Sequence, residues 1–176
     1  MVRRLALSVF ALVSALVVVV VPAASAAPGY CGIEWGSSPK VASPTASGNL
    51  TDIRSGRQDC YDRLVFDFRG TNDGYFVQYV DDVYEDGSGR LVPLRGGAKL
   101  QVVVYSPAYD DAGNPTYTYP NRAELVDVTG YSTFRQVAWA GSFEGQTTVG
   151  LGVRARLPFR VFTLPGRVVV DVAHLW

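Results

Sequence analysis

The chain has 176 residues, with 16 acidic side chains, 16 basic side chains, one histidine and two cysteines. This length suits one domain, or at most two. One histidine and two cysteines are too few for a structural zinc site, which needs four nitrogen or sulfur ligands. The formal net charge of zero gives no basic footprint for nucleic acid. With 18% charged and 12% aromatic residues, the composition is that of a globular protein.

Residues 1–26 have the pattern of a secretory signal peptide, because two arginines precede an apolar run and a small-residue cleavage site. We expect cleavage after Ala26, with Ala27 as the alternative. A retained membrane anchor is the competing interpretation, since the apolar run is near the lower limit of a membrane span. Removing 26 of 176 residues leaves 150, with a net charge of −2 and no second stretch long enough to span a bilayer. We therefore expect a secreted or cell-wall associated, extracellular protein.

Export determines how the two cysteines are interpreted. Outside the reducing cytosol, Cys31 and Cys60 are expected to form one disulfide that ties down residues 27–59, which are rich in serine, proline and glycine. Closing a loop of this size would contribute about 3–4 kcal/mol on the chain-entropy estimate. Two free thiols acting as a redox pair are the alternative, although they lack the Cys-x-x-Cys spacing.

From residue 61 onward, apolar and polar residues alternate, which is typical of half-buried β-strands. Glycine-rich and aspartate-rich turns separate the strands, and Ser132–Trp139 would also suit one helical turn. The pattern predicts an all-β fold, an antiparallel sandwich or barrel of about seven to nine short strands with little helix. The strongest predicted strands are Arg63–Phe68, Ala98–Tyr105, Thr147–Val153 and Arg167–Val172. Weaker ones are Tyr75–Val83, Glu124–Val128, Phe134–Ala140 and Phe159–Leu164.

Two of the strong strands share one pattern: arginine, three apolar residues, aspartate and another apolar residue. Antiparallel pairing would place Arg63 opposite Asp171, Arg167 opposite Asp67, and the central valines of the two strands opposite each other. Each cross-strand pair of opposite charge would contribute about 0.2–1 kcal/mol. Parallel pairing in register would instead place aspartate beside aspartate. The pattern therefore predicts that these two strands are antiparallel neighbours.

Several motifs, taken in order, resemble those of the AMIN-like domain proteins exported by high-GC Gram-positive bacteria. The resemblance covers roughly Trp35 to Trp176. The motifs are Trp35-Gly36-Ser37, Cys60 to Asp67, Tyr79 to Val83, Asp86 to Gly89, Gly141 to Thr147, Pro158 to Val161 and the strand Arg167–His174.

The AMIN domain is a small β-sandwich that precedes the catalytic part of N-acetylmuramoyl-L-alanine amidases and is associated with envelope localisation and peptidoglycan binding. The resemblance thus implies an antiparallel β-sandwich, here over residues 60–176. It also implies a binding module whose partner is cell-wall glycan or peptide, and no catalytic site.

No residue pattern prescribes a reaction. His174 continues the inward face of the last predicted strand, so we expect it to close the core, and no Gly-x-Ser-x-Gly motif supplies a nucleophile for it. A glycosidase would need two carboxyl groups about 5–10 Å apart. Glu144, in the Gly141–Gly145 turn, is one candidate, and the acidic run Asp81–Asp86 supplies others. That run lacks the spacing of a Ca²⁺-binding loop. We predict no enzymatic activity, no cofactor and no metal site.

Candidate binding residues come from two parts of the chain. Tyr105, Tyr109, Tyr117 and Tyr119 surround the long loop Asp110–Pro120, where exposed rings would suit a sugar face or a protein partner. The alternative is that these rings cover the edge of the core.

Gly150 and Gly152 leave one face of their strand smooth, so that a flat ligand or another stretch of backbone can approach closely. A bulge or a strand crossing is the alternative explanation. Beside them, Arg154 and Arg156 could bind carboxylates of wall peptides or acidic polymers, or form a solvated charged edge.

Three hypotheses follow. The first is a secreted, non-catalytic module that binds peptidoglycan or another cell-wall polymer. The second is a protein–protein interaction or inhibitor-like module of the envelope, whose tyrosine-rich loop contacts a protein partner. The third is a small wall hydrolase that uses Glu144 or His174. We expect no nucleic-acid partner and no membrane span after cleavage of the signal.

Overall fold

The structure, a computed structural model, describes residues 30–176; the predicted signal peptide of residues 1–26 lies outside the described residues. The regular elements of the described part are eleven β-strands and one short 3-10 turn at Tyr30–Gly32. The strands are β1 Lys40–Ala42, β2 Asn49–Arg57, β3 Tyr61–Arg69, β4 Tyr75–Val80, β5 Val83–Tyr84, β6 Leu91–Val92, β7 Ala98–Val104, β8 Phe134–Phe143, β9 Gln146–Val153, β10 Phe159–Leu164 and β11 Arg167–Ala173.

The strands form two stacked antiparallel sheets, which confirms the predicted all-β antiparallel sandwich. Sheet A has the order β1-β4-β7-β9-β8, and sheet B has the order β10-β11-β3-β2. The β5–β6 hairpin is separate and packs Val83 and Val92 on Ala138 and Ala140 of β8. Eleven strands exceed the expected seven to nine because β1, β5 and β6 have only two or three residues and β2 was not predicted.

The core lies between the two sheets and consists of the alternating side chains that the sequence predicts to point inward. Leu64 and Phe66 of β3 and Val170 of β11 are fully buried, as are Val102 of β7 and Leu151 of β9. Complete burial of a side chain of this size contributes roughly 1.5–3 kcal/mol. This alternation is therefore the main source of the stability of the sandwich.

Strands β3 and β11 are antiparallel neighbours in the register that their shared pattern predicts. Arg167 pairs with Asp67, Val169 with Val65, and Asp171 with Arg63. The prediction is confirmed for all three pairs. The turn at Pro165-Gly166 joins β10 to β11 as a hairpin.

Strand β2 lies in the serine-rich segment and was missed because a β-bulge interrupts its alternation. Its two buried apolar residues, Leu50 and Ile53, are three positions apart rather than two. The register against β3 shifts between Leu50 and Asp52, so one extra residue is accommodated there and both apolar side chains still face the core. A search for apolar residues at every second position therefore does not detect this strand.

The predicted strand at Glu124–Val128 is wrong, because these residues form turns and irregular backbone. Leu125 and Val128 are nevertheless buried in the main core. The Leu125 amide donates to the carbonyl oxygen of Val137 at 2.8 Å, so the segment meets strand β8 at one point without pairing along it. The apolar spacing reflects a loop that covers the side of the core. Residues 132–139, which also suited a helical turn, lead into β8 instead.

The disulfide between Cys31 and Cys60 is present and joins the start of the described chain to the residue before β3. Beyond Cys31, the ring of Trp35 packs edge-on against Tyr61 of β3, with 5.5 Å between ring centroids. The bridge and this aromatic contact hold the N-terminal segment against sheet B.

In the described part of the chain, no helix has the length and apolarity needed to cross a membrane.

Candidate functional site

A cleft of about 260 Å³ lies beside edge strand β8, between the β5–β6 hairpin and the loop that precedes β8; we refer to it as the β8 cleft. Trp139 and Ala138 of β8 line one wall, and Leu91 and Val92 of β6 line another. Glu85, Arg90 and Arg122 supply its charged groups. The cleft thus combines an aromatic and aliphatic wall with polar groups, which is the usual make-up of a small-molecule site.

The aromatic part of this site is a cluster of three rings, Trp139, Tyr119 and Tyr117. Tyr119 lies 5.0 Å from Trp139 between ring centroids, and Tyr117 lies 5.8 Å from each of the other two. Tyr117 and Trp139 are buried, whereas Tyr119 is half-buried. Burial raises the pKa of Tyr117 to about 12, so its hydroxyl stays neutral at physiological pH. Tyr119 is therefore the ring of the cluster that solvent and ligands reach most easily.

The charged part of the site is centred on Glu85. Arg90 donates to Oε2 of Glu85 from Nη2 at 2.8 Å and from Nε at 3.0 Å, and Arg122 donates to Oε1 from the opposite side. Ser88 adds a hydrogen bond to Oε2 at 2.8 Å. The hydrogen bonds from Arg90 and Ser88 hold the pKa of Glu85 below its ordinary value, and the charge of Arg122 adds to this. At neutral pH the group therefore has two guanidinium cations and one carboxylate.

Local backbone contacts hold the two sides of the cleft against β8. The Trp139 amide donates to the Arg122 carbonyl oxygen at 2.7 Å, and the Asp86 amide donates to the Ala140 carbonyl oxygen at 2.8 Å. A register shift in β8 between Trp139 and Gly141 leaves room for these contacts. The edge of β8 is thus occupied by its own loops, and the cleft lies where they diverge.

The four tyrosines that the sequence placed around one loop fall into two groups. Tyr117 and Tyr119 belong to the cluster at the β8 cleft, whereas Tyr109 contacts the β8–β9 turn, where its hydroxyl accepts a hydrogen bond from the Gly145 amide at 3.3 Å. Tyr105 is the residue after β7, and its carbonyl oxygen accepts a bond from Ser47. Tyr117 therefore covers the edge of the core, which was one alternative, whereas Tyr119 is partly open to a ligand, which was the other.

Glu144 lies at the exposed tip of the β8–β9 hairpin, in a two-residue turn with Gly145. Both residues have positive φ, 49° and 81°, which is the backbone of the type I′ turn that suits the twist of a hairpin. Glu144 and Tyr109 are therefore brought near each other, but neither lines the β8 cleft. Their predicted role in ligand binding remains a prediction.

Gly150 and Gly152 lie beneath the chain's own segment after β6. A Cβ atom on Gly152 would lie 2.0 Å from the Arg95 carbonyl oxygen, and one on Gly150 would lie 2.7 Å from a methyl carbon of Leu94. The smooth face thus lets another stretch of backbone cross β9 closely, which is the alternative weighed for these glycines. As this crossing covers their face, the two glycines do not form an open groove.

Arg154 and Arg156 follow strand β9, and neither lines the β8 cleft. Arg156 stacks over the ring of Tyr79 at 4.8 Å and donates to the Ser37 carbonyl oxygen at 3.2 Å. It lines a shallow cleft of about 500 Å³ together with Lys99. Arg154 donates to the His174 carbonyl oxygen. Both arginines thus have structural contacts, and their predicted binding role remains a prediction.

His174 is mostly buried, and its Nε2 lies 3.1 Å from Oδ1 of Asp62, a carboxylate with no exposed surface. The other oxygen of Asp62 accepts hydrogen bonds from the amides of Thr133 and Phe134, at 2.6 and 3.0 Å. Asp62 therefore links the end of β11 to the start of β8. This contact agrees with the expected role of His174 in closing the core.

His174 also lines an open cleft of about 680 Å³, in which Arg57, Asp59 and Ser132 are neighbours. A histidine beside further titratable groups is the arrangement that a hydrolase would need. Among the hydrogen bonds of residues 30–176, however, none joins the His174 ring to a hydroxyl group that could act as a nucleophile. Asp62 holds backbone amides rather than facing this cleft, so the arrangement is a structural one.

The carboxylates of the acidic run point to separate partners. Asp82 binds Nζ of Lys99 at 2.6 Å, Glu85 binds two arginines, and Asp86 accepts from the Thr148 hydroxyl at 2.5 Å. Within residues 30–176, no three histidine, cysteine or acidic side chains converge as metal ligands. The run is thus divided among three different contacts.

The described fold coincides with a known protein family. A family model of the AMIN-like domain matches residues 48–174, from the residue before β2 to the residue after β11. The chain belongs to the AMIN-like domain family. No curated protein and no solved structure shows significant similarity to it.

Within this AMIN-like domain, the aromatic and charged groups of the β8 cleft come from three separate parts of the chain. The sequence singled out Tyr117, Tyr119 and the acidic run that contains Glu85, but not Trp139, Arg90 or Arg122. Trp139 lies in the predicted strand Phe134–Ala140, but no pattern in the sequence marked the two arginines. The cleft arises from where the loops of the AMIN-like domain cross β8, which a strand pattern does not specify.

Proposed function

We propose that this AMIN-like domain protein is an exported, non-catalytic binding module that associates with peptidoglycan through the β8 cleft. Membership of the family supports the cell-wall setting, because AMIN-like domains are non-catalytic binding modules. The predicted signal peptide supports export. The cleft supports a glycan ligand of the wall rather than a purely structural role for the domain.

The observation that carries this proposal is the half-buried Tyr119 ring, which packs at a tilt against Trp139 in the wall of the cleft and lies close enough to Arg122 to feel its charge. An aromatic ring offers a flat apolar surface with a polar edge, which matches the C–H face of a sugar. The Arg122 guanidinium donates in a fixed planar fork that suits the carboxylates of stem peptides. Half of its side-chain surface is exposed, so these donors are within reach of a ligand.

The electrostatics of the cleft favour binding over hydrolysis. A general acid acting on a glycosidic bond needs a carboxyl group whose pKa is raised towards neutrality. In Glu85 the hydrogen bonds from Arg90 and Ser88 shift the pKa in the opposite direction. Glu85 is therefore suited to holding the two arginines in place and to accepting hydrogen bonds from hydroxyl groups.

A protein partner is the second candidate function, and one observation favours it. Tyr84 and Leu91 are opposite each other on the β5–β6 hairpin, and about half of each side chain's surface is exposed. Exposed apolar pairs of this kind are common at protein interfaces. The hairpin forms one side of the β8 cleft, so a protein partner would occupy the same part of the molecule.

Co-sedimentation with purified sacculi tests the proposal. The sacculi are first stripped of covalently attached anionic polymers with acid, so that only the glycan and its peptides remain. We expect the wild-type protein to pellet with them at moderate salt, and Arg122→Gln and Tyr119→Ala to lower the bound fraction strongly. The matched control is Arg167→Gln, which also removes one positive charge but lies on the outer face of sheet B. We expect this variant to bind as the wild type does. Failure of the wild-type protein to pellet would contradict the proposal and favour the protein partner.

A further inference from the structure

The outer face of sheet B contains a group of four arginines, one from each of its strands, and two aspartates. Because alternate residues of a strand share a face, the register of the sheet assigns all six side chains to the side opposite the core. We refer to them as the arginine face. Its members are Arg54 of β2, Arg63 and Asp67 of β3, Arg160 of β10, and Arg167 and Asp171 of β11.

Each aspartate of the arginine face is shared between two arginines. Asp171 accepts from Arg63 at 2.7 Å (Nε) and 2.9 Å (Nη2), and from Nε of Arg160 at 2.9 Å. Asp67 accepts from Arg54 at 2.6 Å (Nε) and 3.1 Å (Nη2), and from Nε of Arg167 at 3.0 Å. One arginine is enough to neutralise a carboxylate. Each group of three therefore has one surplus positive charge, and Arg69 of β3 and Asp52 of β2, which the register also assigns to this face, offset each other.

The surplus positive charge lies on the side chains of this face that are most exposed to solvent. Asp171 has no exposed side-chain surface, whereas 40% of the Arg160 side chain and 48% of the Arg167 side chain are exposed. Both of these arginines bind their aspartate through Nε, and none of the described residues accepts a hydrogen bond from their terminal Nη groups. Two guanidinium groups thus present unused donors to the outside.

The two cationic centres are separated along the strands by a covered apolar band. Asp67 and Asp171 belong to rows four residues apart in β3 and in β11, which corresponds to about 13 Å. Val65 and Val169 lie between the rows and are buried, although they are on the outer face. They share their row with Arg54 of β2 and with Phe162 of β10, which is half-buried. The guanidinium groups of Arg63 and Arg160 lie over the Phe162 ring, 5.5 and 5.1 Å from its centre, so cations and one aromatic ring cover the band between the rows.

We propose that the arginine face is a second binding surface, which takes a linear polymer with phosphodiester charges along its backbone. Two guanidinium forks with unused donors match successive anionic groups of an extended chain, because planar guanidinium groups bind phosphate oxygens in pairs. A flat sheet face suits a linear chain better than a compact ligand. This surface is separate from the β8 cleft and does not depend on the proposed binding of peptidoglycan there.

Titration of the purified protein with poly(glycerol phosphate) tests this proposal. We compare wild type with Arg160→Gln/Arg167→Gln, in which Asp171 keeps Arg63 and Asp67 keeps Arg54, so both carboxylates stay paired. The matched control is Arg90→Gln/Arg122→Gln, which removes the same charge at the β8 cleft. Thermal unfolding verifies that all three proteins are folded before the titration.

We expect the first double variant to raise the Kd for poly(glycerol phosphate) by roughly tenfold or more, since each arginine loses charge-assisted hydrogen bonds. We expect the control to change this Kd less than twofold (about the effect of net charge alone), and the wild-type affinity to fall with rising salt. No wild-type binding at low salt, or an equal loss in both double variants, would overturn the proposal. Equal or tighter binding to poly-L-glutamate of matched charge, or to phosphatidylglycerol vesicles, would also overturn it, in favour of carboxylates or of a membrane surface.

Discussion

Arg63 and Asp171 are 108 residues apart in the chain, yet they face each other on adjacent strands, and the guanidinium donates two hydrogen bonds to a carboxylate with no exposed surface. Arg63 also lies over the rings of Tyr61 and Phe162, at 5.4 and 5.5 Å. The pair therefore links β3 to β11 and anchors the aromatic contacts at one end of sheet B. Its importance can be tested by removing either partner.

Replacing Asp171 is expected to destabilise the protein more than replacing either of its arginines. Asp171→Asn removes the negative charge of a carboxylate that accepts three hydrogen bonds from two arginines. We expect the free energy of unfolding to fall by about 2–3 kcal/mol. Arg160→Gln leaves the Arg63 bonds in place and should cost less than about 1 kcal/mol. Urea unfolding of the two variants measures both values. A larger loss for Arg160→Gln than for Asp171→Asn would contradict the shared-carboxylate description.

The close crossing of β9 predicts a large difference in stability between alanine substitutions at two strand glycines. Gly152→Ala would place a methyl group against the Arg95 carbonyl oxygen, which is backbone and cannot move aside easily. We expect a cost of about 2–3 kcal/mol for this overpacking. Gly56→Ala in β2 is the matched control, because its nearest neighbour is a side-chain atom 3.7 Å away. The control should stay within about 0.5 kcal/mol of the wild type. Equal melting temperatures for the two variants would contradict the crossing.

The disulfide should contribute measurably to stability. It closes a loop with a sequence separation of 29 residues, for which the chain-entropy estimate is about 3–4 kcal/mol. Cys31→Ser/Cys60→Ser is expected to lower the melting temperature substantially, and reduction of the wild type should lower it by a similar amount. Differential scanning fluorimetry with and without reductant gives this comparison. If the reductant lowered the melting temperature of the double variant as well, the bridge would not be the cause.

Alkaline pH should affect the protein through Tyr79. Its hydroxyl donates to the Leu157 carbonyl oxygen and accepts from the Leu157 amide, both at 2.9 Å. Burial raises the pKa of Tyr79 to about 12, above the value of about 10 in an unfolded chain. The neutral hydroxyl thus stabilises the fold fully below pH ~10, and this contribution is lost as the pH rises from there towards 12.

Absorbance titration of the tyrosines measures this shift. We expect Tyr79 and Tyr117 to ionise only near pH 12, and Tyr79→Phe to remove one of these late transitions. Because Phe leaves both backbone groups of Leu157 without their partner, the variant should also lose about 1–3 kcal/mol of stability. Ionisation of every tyrosine near pH 10 in the folded protein would contradict the burial of both hydroxyl groups.

The sequence predicted those parts of the fold in which one face of a strand is buried and the other carries charge. The shared pattern around Arg63 and Arg167 specified not only two strands but also their direction and register, because only antiparallel pairing places opposite charges together. Strand β2 escaped prediction because its bulge separates Leu50 from Ile53 by three residues. Leu125, Val126 and Val128 imitated a strand because a loop that covers a core also contains several apolar residues close together.

The candidate site was less predictable than the fold because it depends on where loops cross the sheet. Tyr119 attracted attention as one of several tyrosines, but its contact with Trp139 requires the loop before β8 to lie along that edge. Gly150 and Gly152 signalled a close approach, and the approaching atoms belong to Leu94 and Arg95 of the same chain. A smooth strand face shows that something is near it, but not what.

The most direct test of the account is an NMR titration of the labelled protein with a soluble disaccharide–peptide fragment of peptidoglycan. We predict the largest shifts at the Trp139 indole and at the backbone amides of Tyr119 and Arg122, with little change at Arg160 and Arg167. Shifts confined to residues far from strand β8, or no shifts at saturating fragment, would contradict the assignment of the β8 cleft as the peptidoglycan site.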